Sequence, residues 1–331
     1  VGQGVPTISI AMEQIGGQLS LIQTTPRGAP APQEVQDKGV MRSLSIPQIK
    51  LEDTISVYQM FGVRALGTAA QLRGARRVID QQIVKMNSRH DLTLENLRLG
   101  ALRGRVYDAD GSLLLDLYDF FGVMEPTPVD FSDVLTTPGT EGQVEKLITK
   151  CHSVYRYMLR NLKAPWPSTA NIHAFAGDNF YDTLIEVTRK WHDGYAAAKQ
   201  RLGDNYAFGQ YEFGGIIWEN YRGTDDNATV SVAQNSARFF PVGVPGLYEE
   251  YYAPADFLDV VGESAVGLPR YARIAPDGKF NRQVFLHTQQ NPLPLCTRPK
   301  VLTSGTFTPV TPTEASESET GASESESETA T

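Results

Sequence analysis

The chain has 331 residues, 41% of them apolar, and a formal charge of −8. That length suits one large domain or two ordinary ones with a sizeable core. Six of the 38 acidic residues lie at 304–331, leaving 30 bases against 32 acids in residues 1–303, a nearly neutral body that excludes the basic stripe needed to neutralise DNA phosphates.

Residues 5–23 read as two strands about Gly16-Gly17. Ile8, Ile10 and Met12 alternate, Leu19 and Leu21 follow, and a Gly-Gly pair between such runs marks a hairpin. Residues 24–49 are rich in Pro and Gly and poor in large apolar side chains. A loop of that length in a compact domain is functional or disordered. Strand-like character at its ends favours a protruding arm. Leu72, Ala75, Ile79, Ile83, Met86, His90, Leu94, Leu97 and Ala101 then recur at steps of three or four, which predicts one helix over 69–103. Gly104 is its expected terminator, and Gly74 and Asn87–Asp91 are weak points. At ~1.5 Å per residue such a helix reaches about 50 Å, a spine rather than one member of a tight bundle.

Asp110-Gly111 predicts a hairpin turn within 105–117, followed by a connector at 122–140 and a second helix over 141–162. A strand, a turn at Gly177-Asp178 and a third helix to about residue 200 come next, then a strand hairpin in "QYEFGGIIWENYRG". Residues 237–261 are aromatic and broken by Gly and Pro; "RYARI" and "RQVFLHTQ" are strands, and "QQNPLPLCTRPKVL", residues 289–302, is the last. Pro292 and Pro294 restrict that segment to a sheet edge, because neither can donate to a ladder. The mixed order favours α+β over a doubly wound sheet. Residues 304–331, almost all Ser, Thr, Glu and Ala beyond the first few, are expected to be a disordered tail.

Little in the chain has the pattern of a reactive centre. Asp108-Ala-Asp110-Gly111 opens like a calcium loop, but Gly111 is fourth rather than sixth and a strand follows, so a hairpin turn is preferred. The five histidines share no metal-ligand spacing, and His90, on the apolar helix face, reads as a hydrogen-bonded core or interface residue. Gly262-Glu-Ser264-Ala-Val266 lacks the second glycine of a nucleophile elbow. "GVPG" lacks the lysine and spacing of a phosphate loop, and Asn227-Ala-Thr229 is a bare glycosylation triplet. Cys151 and Cys296 are too few and too far apart for a disulfide scaffold or a clustered zinc site. Arg298 and Lys300 are near Cys296, yet Leu293, Leu295, Val301 and Leu302 surround it, which favours a buried small hydrophobe over a nucleophile. No apolar run reaches the ~20 residues of a membrane span, and no cofactor is indicated.

Six stretches in order carry a family resemblance: "LSLIQTTPRGAP", "LEDTISVYQMFGVRALG", "LTLENLRLGALRGRVYDADGSLLLDLYDFFG", "YEFGGIIWENYRG", "ARFFPVGVPGLYEEYYAPADFLDVV" and "QQNPLPLCTRPKVL". Together, over roughly residues 7–302, they resemble the lambda-type major capsid proteins of tailed bacteriophages, the phage capsid protein E family. The resemblance departs at both ends: relatives carry a further N-terminal arm, and the Ser/Glu tail is outside the pattern.

The resemblance implies the Hong Kong 97-type α+β capsid fold, with no catalytic, cofactor or metal site. Its expected units are N-terminal strands at 1–23, an extended loop at 24–49 and a peripheral domain at 50–164 containing the spine. An axial domain at 165–240, a return to the peripheral domain at 241–303 and the tail at 304–331 complete the division. The implied function is self-assembly as hexamers and pentamers into an icosahedral shell around phage DNA, in the virion and, during assembly, the host cytoplasm. Implied partners are other copies of the chain, the portal and scaffold, a decoration protein at three-fold positions and packaged DNA bound without sequence specificity; no membrane is involved. Pro26, Arg27, Lys38, Met41 and Arg42 on the arm are the candidate inter-subunit contacts. Two other readings stand beside this one: a cytoplasmic enzyme using Cys296 or His287 with carboxylate partners, or a phage decoration or tail component.

Overall fold

A computed structural model of the chain describes residues 2–14, 40–61, 68–136, 142–163, 166–192, 210–223, 230–260 and 266–309. It opens with β1 (Gln3–Gly4), β2 (Ser9–Gln14), β3 (Val40–Ser45) and β4 (Ile49–Ser56). β2 pairs antiparallel with β3, from Ser9↔Ser45 to Gln14↔Val40. The described partner of the first alternating strand is thus the far end of the arm. The turn expected at Gly16-Gly17 and the strand expected after it lie outside the described residues.

After α1 (Val57–Phe61) comes the spine, α2 (Thr68–Arg103), 36 residues in one helix. Its apolar face is the one the periodicity gave: Met86, His90, Leu94, Leu97 and Ala101 are buried. The helix runs through Asn87–Asp91 without a break. There the Ser88 hydroxyl donates to the Val84 carbonyl (3.1 Å) and the Thr93 hydroxyl to the Arg89 carbonyl (2.9 Å), so these side chains bond back along the helix rather than competing for its ladder. Gly104, at φ 79°, ends it. A Cβ at Gly104 would stand 2.4 Å from the Tyr118 ring, so this stop needs glycine for space as well as for conformation. β5 (Arg105–Tyr107) and β6 (Leu113–Asp116) form the expected hairpin, with Gly111 at φ 81°.

The next elements are α3 (Leu117–Phe121), β7 (Val129–Asp130), α4 (Ser132–Leu135), α5 (Gln143–Leu162), β8 (Asn171–Ala176), α6 (Asp178–His192), β9 (Tyr211–Phe213), β10 (Ile216–Asn220) and β11 (Ser236–Val242). The chain finishes with β12 (Tyr248–Tyr252), β13 (Tyr271–Pro276), β14 (Gln283–Gln290), β15 (Pro292–Cys296) and β16 (Thr303–Thr306). β7-β16-β11-β8-β10-β9 form a six-stranded mixed sheet. The β9–β10 hairpin turns on Gly214 and Gly215, at φ 63° and 76°, the conformation a two-residue type I′ turn requires.

The main core lies between this sheet and α4, α5 and α6. Leu147, Cys151, Val154, Met158 and Leu162 from α5 meet Phe180 and Leu184 from α6 and Ile172, Trp218 and Phe239 from the sheet. Trp218 is fully buried and donates its indole N–H to the Phe213 carbonyl at 3.2 Å. Truncating such a side chain to alanine costs about 3–5 kcal/mol.

Two further segments join the six-stranded sheet and its core. The helix at 141–162, expected with the spine, buries its apolar stripe in the six-stranded sheet's core. Residues 304–307, expected at the start of the tail, are ordered: Thr303–Thr306 lie as β16 between β7 and β11, and Phe307 is buried against Phe180 at a ring distance of 5.6 Å. A small-residue run reads as linker from composition, but Gly305 sits where a Cβ would come within 2.8 Å of Phe131, so the position needs a residue without a side chain. Residues 310–331 lie outside the described residues.

Two smaller sheets complete the fold. β13-β14-β4 is antiparallel, and its Ile55 and Leu286 pack on Met86 of the spine. β1-β12-β15 places "PLPLC" at a sheet margin as expected. Asn291 and Thr297, flanking β15, bond to the backbone about β12, which by the two-residue period turns Pro292 and Pro294 away from the ladder.

Candidate functional site: the surfaces available for assembly

Few of the described side chains have the setting of a reactive group. Cys296 and Cys151 are both fully buried, and burial pushes each thiol up to about 12. Both are therefore protonated packing residues. His287 lies on β14 rather than in the Cys296 core; its Nδ1 is 2.9 Å from Glu52 and its ring meets Phe257 at 5.4 Å. The Asp108 and Asp110 carboxylates accept from the backbone N–H groups of Ala109 (2.7 Å) and Ser112 (2.8 Å), which is turn capping. Among the described residues no group of three or more His, Cys, Asp or Glu is placed to hold a metal ion. No helix among them is long and apolar enough to cross a membrane. The Gly262–Val266 elbow candidate falls largely, and the Asn227 triplet wholly, outside the described residues.

Large apolar side chains instead stand in solvent at several elements. Val40 and Met41 at the arm's base are 55% and 74% exposed. Ile274, Phe280 and Phe285 stand out on the β13–β14 hairpin, Tyr58 on α1, Val84 on the spine, and Met124 and Leu258 on loops. On the hairpin tip, Lys279 and Arg282 each lie 5.4 Å from the Phe280 ring centroid. Apart from Met41, sequence reading passed these residues over because alternation marks two faces of a strand without saying which is covered.

The five predicted contact residues separate. Pro26, Arg27 and Lys38 lie outside the described residues. Met41 is exposed. Arg42 is half-buried, with its guanidinium 6.0 Å from the Phe120 ring centroid of its own chain. The two neighbours on β3 therefore point to different tasks, as strand alternation requires.

A long spine helix against a three-stranded sheet, a two-stranded arm and a separate helix-backed sheet is the Hong Kong 97-type arrangement of phage capsid proteins. The asymmetric unit of the bacteriophage PhiM1 mature capsid shares it at a TM-score of 0.50 and 13% identity, covering 94% of this chain and 85% of that one. A prophage chain from Escherichia coli CFT073, assigned as a capsid protein, also gives a TM-score of 0.50 at 13% identity, covering 82% and 80%. Residues 2–307 match the model of the family described as phage major capsid protein E, and the chain belongs to that family.

Among curated relatives, the major capsid protein of Pseudomonas phage KPP10 is 22% identical over 295 residues, 82% of this chain and 80% of that protein. The major capsid protein of Salmonella phage Felix O1 is 35% identical over 89 residues, and that match spans 26% of this chain and 24% of the relative. The chain is thus a structural protein of the virion and not an enzyme, which sets aside the reading built on Cys296 or His287.

Proposed function

We propose that copies of this chain tile as hexamers and pentamers into a closed icosahedral shell around phage DNA, each subunit reaching over a neighbour with its 15–39 arm. The pairing of β2 with β3 is the observation that carries this reading. It brings residues 14 and 40 side by side, so the two points from which an arm of the intervening 25 residues would spring lie together. One face of the β2–β3 ribbon packs on its own subunit through Ile10, Met12 and Leu44, which leaves the opposite face, with Met41, uncovered. Surface on the next subunit would cover that face, with Met41 packing at the base and Pro26, Arg27 and Lys38 engaging further out. Ordering the arm costs ~1–2 kcal/mol per backbone residue, so apolar burial must supply most of the docking energy. Exposed ion pairs, at ~0.2–1 kcal/mol each, would set register more than strength.

In this reading the spine and its sheet form the peripheral domain, and the six-stranded sheet with α5 and α6 forms the axial domain about capsomer centres. The near-neutral body would line the DNA without gripping it, because an inner wall that held phosphates would oppose packaging and ejection. Portal, scaffold and a decoration protein at three-fold positions are the further partners, met in the host cytoplasm during assembly.

Replacing residues 15–39 by a short Gly/Ser link tests the arm. The expected product is folded subunits or capsomers that fail to close shells, seen by circular dichroism, sedimentation and negative-stain microscopy. Closed shells at wild-type yield would overturn the proposal.

A further inference from the structure

A cavity of about 380 Å³ opens where the end of α2, the β5 strand and β11 meet, lined in part by Arg103, Arg105, Arg238, Glu125, Tyr107 and Asn96. Its volume is at the small end of ligand pockets. Three guanidiniums share it, and their charges are unequally met. Arg105 is fully compensated, with its Nε 2.9 Å from Asp116 and a terminal nitrogen 2.9 Å from Glu125. Arg103 donates to a neutral acceptor, the Ser231 carbonyl. Neither Arg103 nor Arg238 has a carboxylate within 4.0 Å among the described residues. Glu125, whose charge acts on Arg238, is already held by Arg105.

Burial holds both groups below the usual arginine range, and for Arg103 the charge of Arg238 adds to that effect. Arginine stays protonated in proteins, so two like charges face one small, partly desolvated space. Taking a charge out of water without a partner is costly, and a guanidinium fork matches the paired oxygens of a carboxylate or phosphate.

We propose that this cavity is an oxyanion site, in which Arg103 and Arg238 together clasp a carboxylate or phosphate-type group at the junction of spine and six-stranded sheet. Arg105 orders the wall and keeps Glu125 turned to itself rather than to the ligand. Two sources offer the same chemistry. One is a free oxyanion such as inorganic phosphate. The other is the chain's own segment from Glu314 to Glu328, which has six glutamates and no base. That segment follows Phe307, whose N–H bonds the Asn235 carbonyl at 3.1 Å, two residues from the cavity-lining Ala233.

The test is thermal unfolding of the full-length subunit in inorganic phosphate against chloride at equal ionic strength, with a calorimetric phosphate titration beside it. Wild type should unfold a few degrees higher in phosphate and show saturable binding. Arg238→Met and Arg103→Met should each lose that shift, and binding should weaken at least tenfold. Should Arg238→Met fail to fold, Arg238→Lys keeps the charge without the fork and is expected to lower the shift. No phosphate-specific shift and no saturable binding in either wild type or a chain with the six tail glutamates changed to Gln, or an equal shift in the arginine variants, would overturn the proposal. A full chain with the six tail glutamates changed to Gln separates the sources: a larger phosphate shift than wild type identifies the tail as the resident oxyanion, and an unchanged shift identifies an external one.

Discussion

His90 shows how one side chain joins distant parts of the fold. It is buried on the spine, and its Nε2 lies 2.9 Å from the Thr288 hydroxyl on β14. Burial lowers its pKa from 6.5, and the Arg270 and His287 charges work in the same direction against Asp91 and the Thr288 bond. The unfolded chain therefore binds a proton more readily than the folded one between the depressed value and 6.5. Stability should fall as pH drops below about 6.5 through that window, and be insensitive to this group above it. Urea unfolding at a series of pH values should show that slope in wild type and a shallower one in His90→Gln; identical slopes would contradict the assignment. The two thiols give a simpler test. With both pushed up to about 12, neither should react with a disulfide reagent at pH 8 until the protein is unfolded.

At the scale of elements, close approach matters as much as propensity. Sequence reading marked Gly74 and Asn87–Asp91 as weak points of the spine, and α2 passes through both. Gly100 drew no notice, yet a Cβ there would lie 2.8 Å from the Val106 Cα and 3.0 Å from the Arg105 carbonyl. Alanine at an exposed helix position gains about 1 kcal/mol over glycine. Here the backbone of β5 occupies the space, and overpacking of this kind costs about 1–3 kcal/mol. Gly100→Ala should therefore lower the urea midpoint, whereas propensity alone would raise it. The hairpin after the spine was legible because Asp-Gly carries its own turn chemistry. The Gly100 contact was not, because Val106 reaches it only once the chain has reversed direction.

For the whole molecule, the proposed arm would divide assembly from folding. Arg27 and Arg42 are indistinguishable as basic residues in one Pro/Gly-rich stretch and its flank. Arg42 is drawn onto its own subunit, over Phe120, whereas Arg27 lies outside the described residues. Arg42→Ala should accordingly lower subunit stability by about 0.5–1 kcal/mol, the lower range for a cation–π contact. Arg27→Ala with Lys38→Ala should leave the denaturation midpoint unchanged and reduce the yield of closed particles in sedimentation. Equal effects of the two variants on both readouts would remove the distinction.

The spine, its terminating glycine, both Asp-Gly and Gly-Gly hairpins within the body, the proline-bearing edge strand and the packing role of Cys296 were written in the sequence alone. Each depends on neighbours within a few positions, where backbone geometry and side-chain periodicity act directly. Tertiary structure decided the rest: that β2 pairs with β3, that α5 joins the six-stranded sheet, that Thr303–Thr306 completes that sheet, and that Arg103 and Arg238 share a cavity. Those pairings join residues far apart in the chain. Their energy comes from surfaces that exist only after the chain has folded, so no local pattern records them.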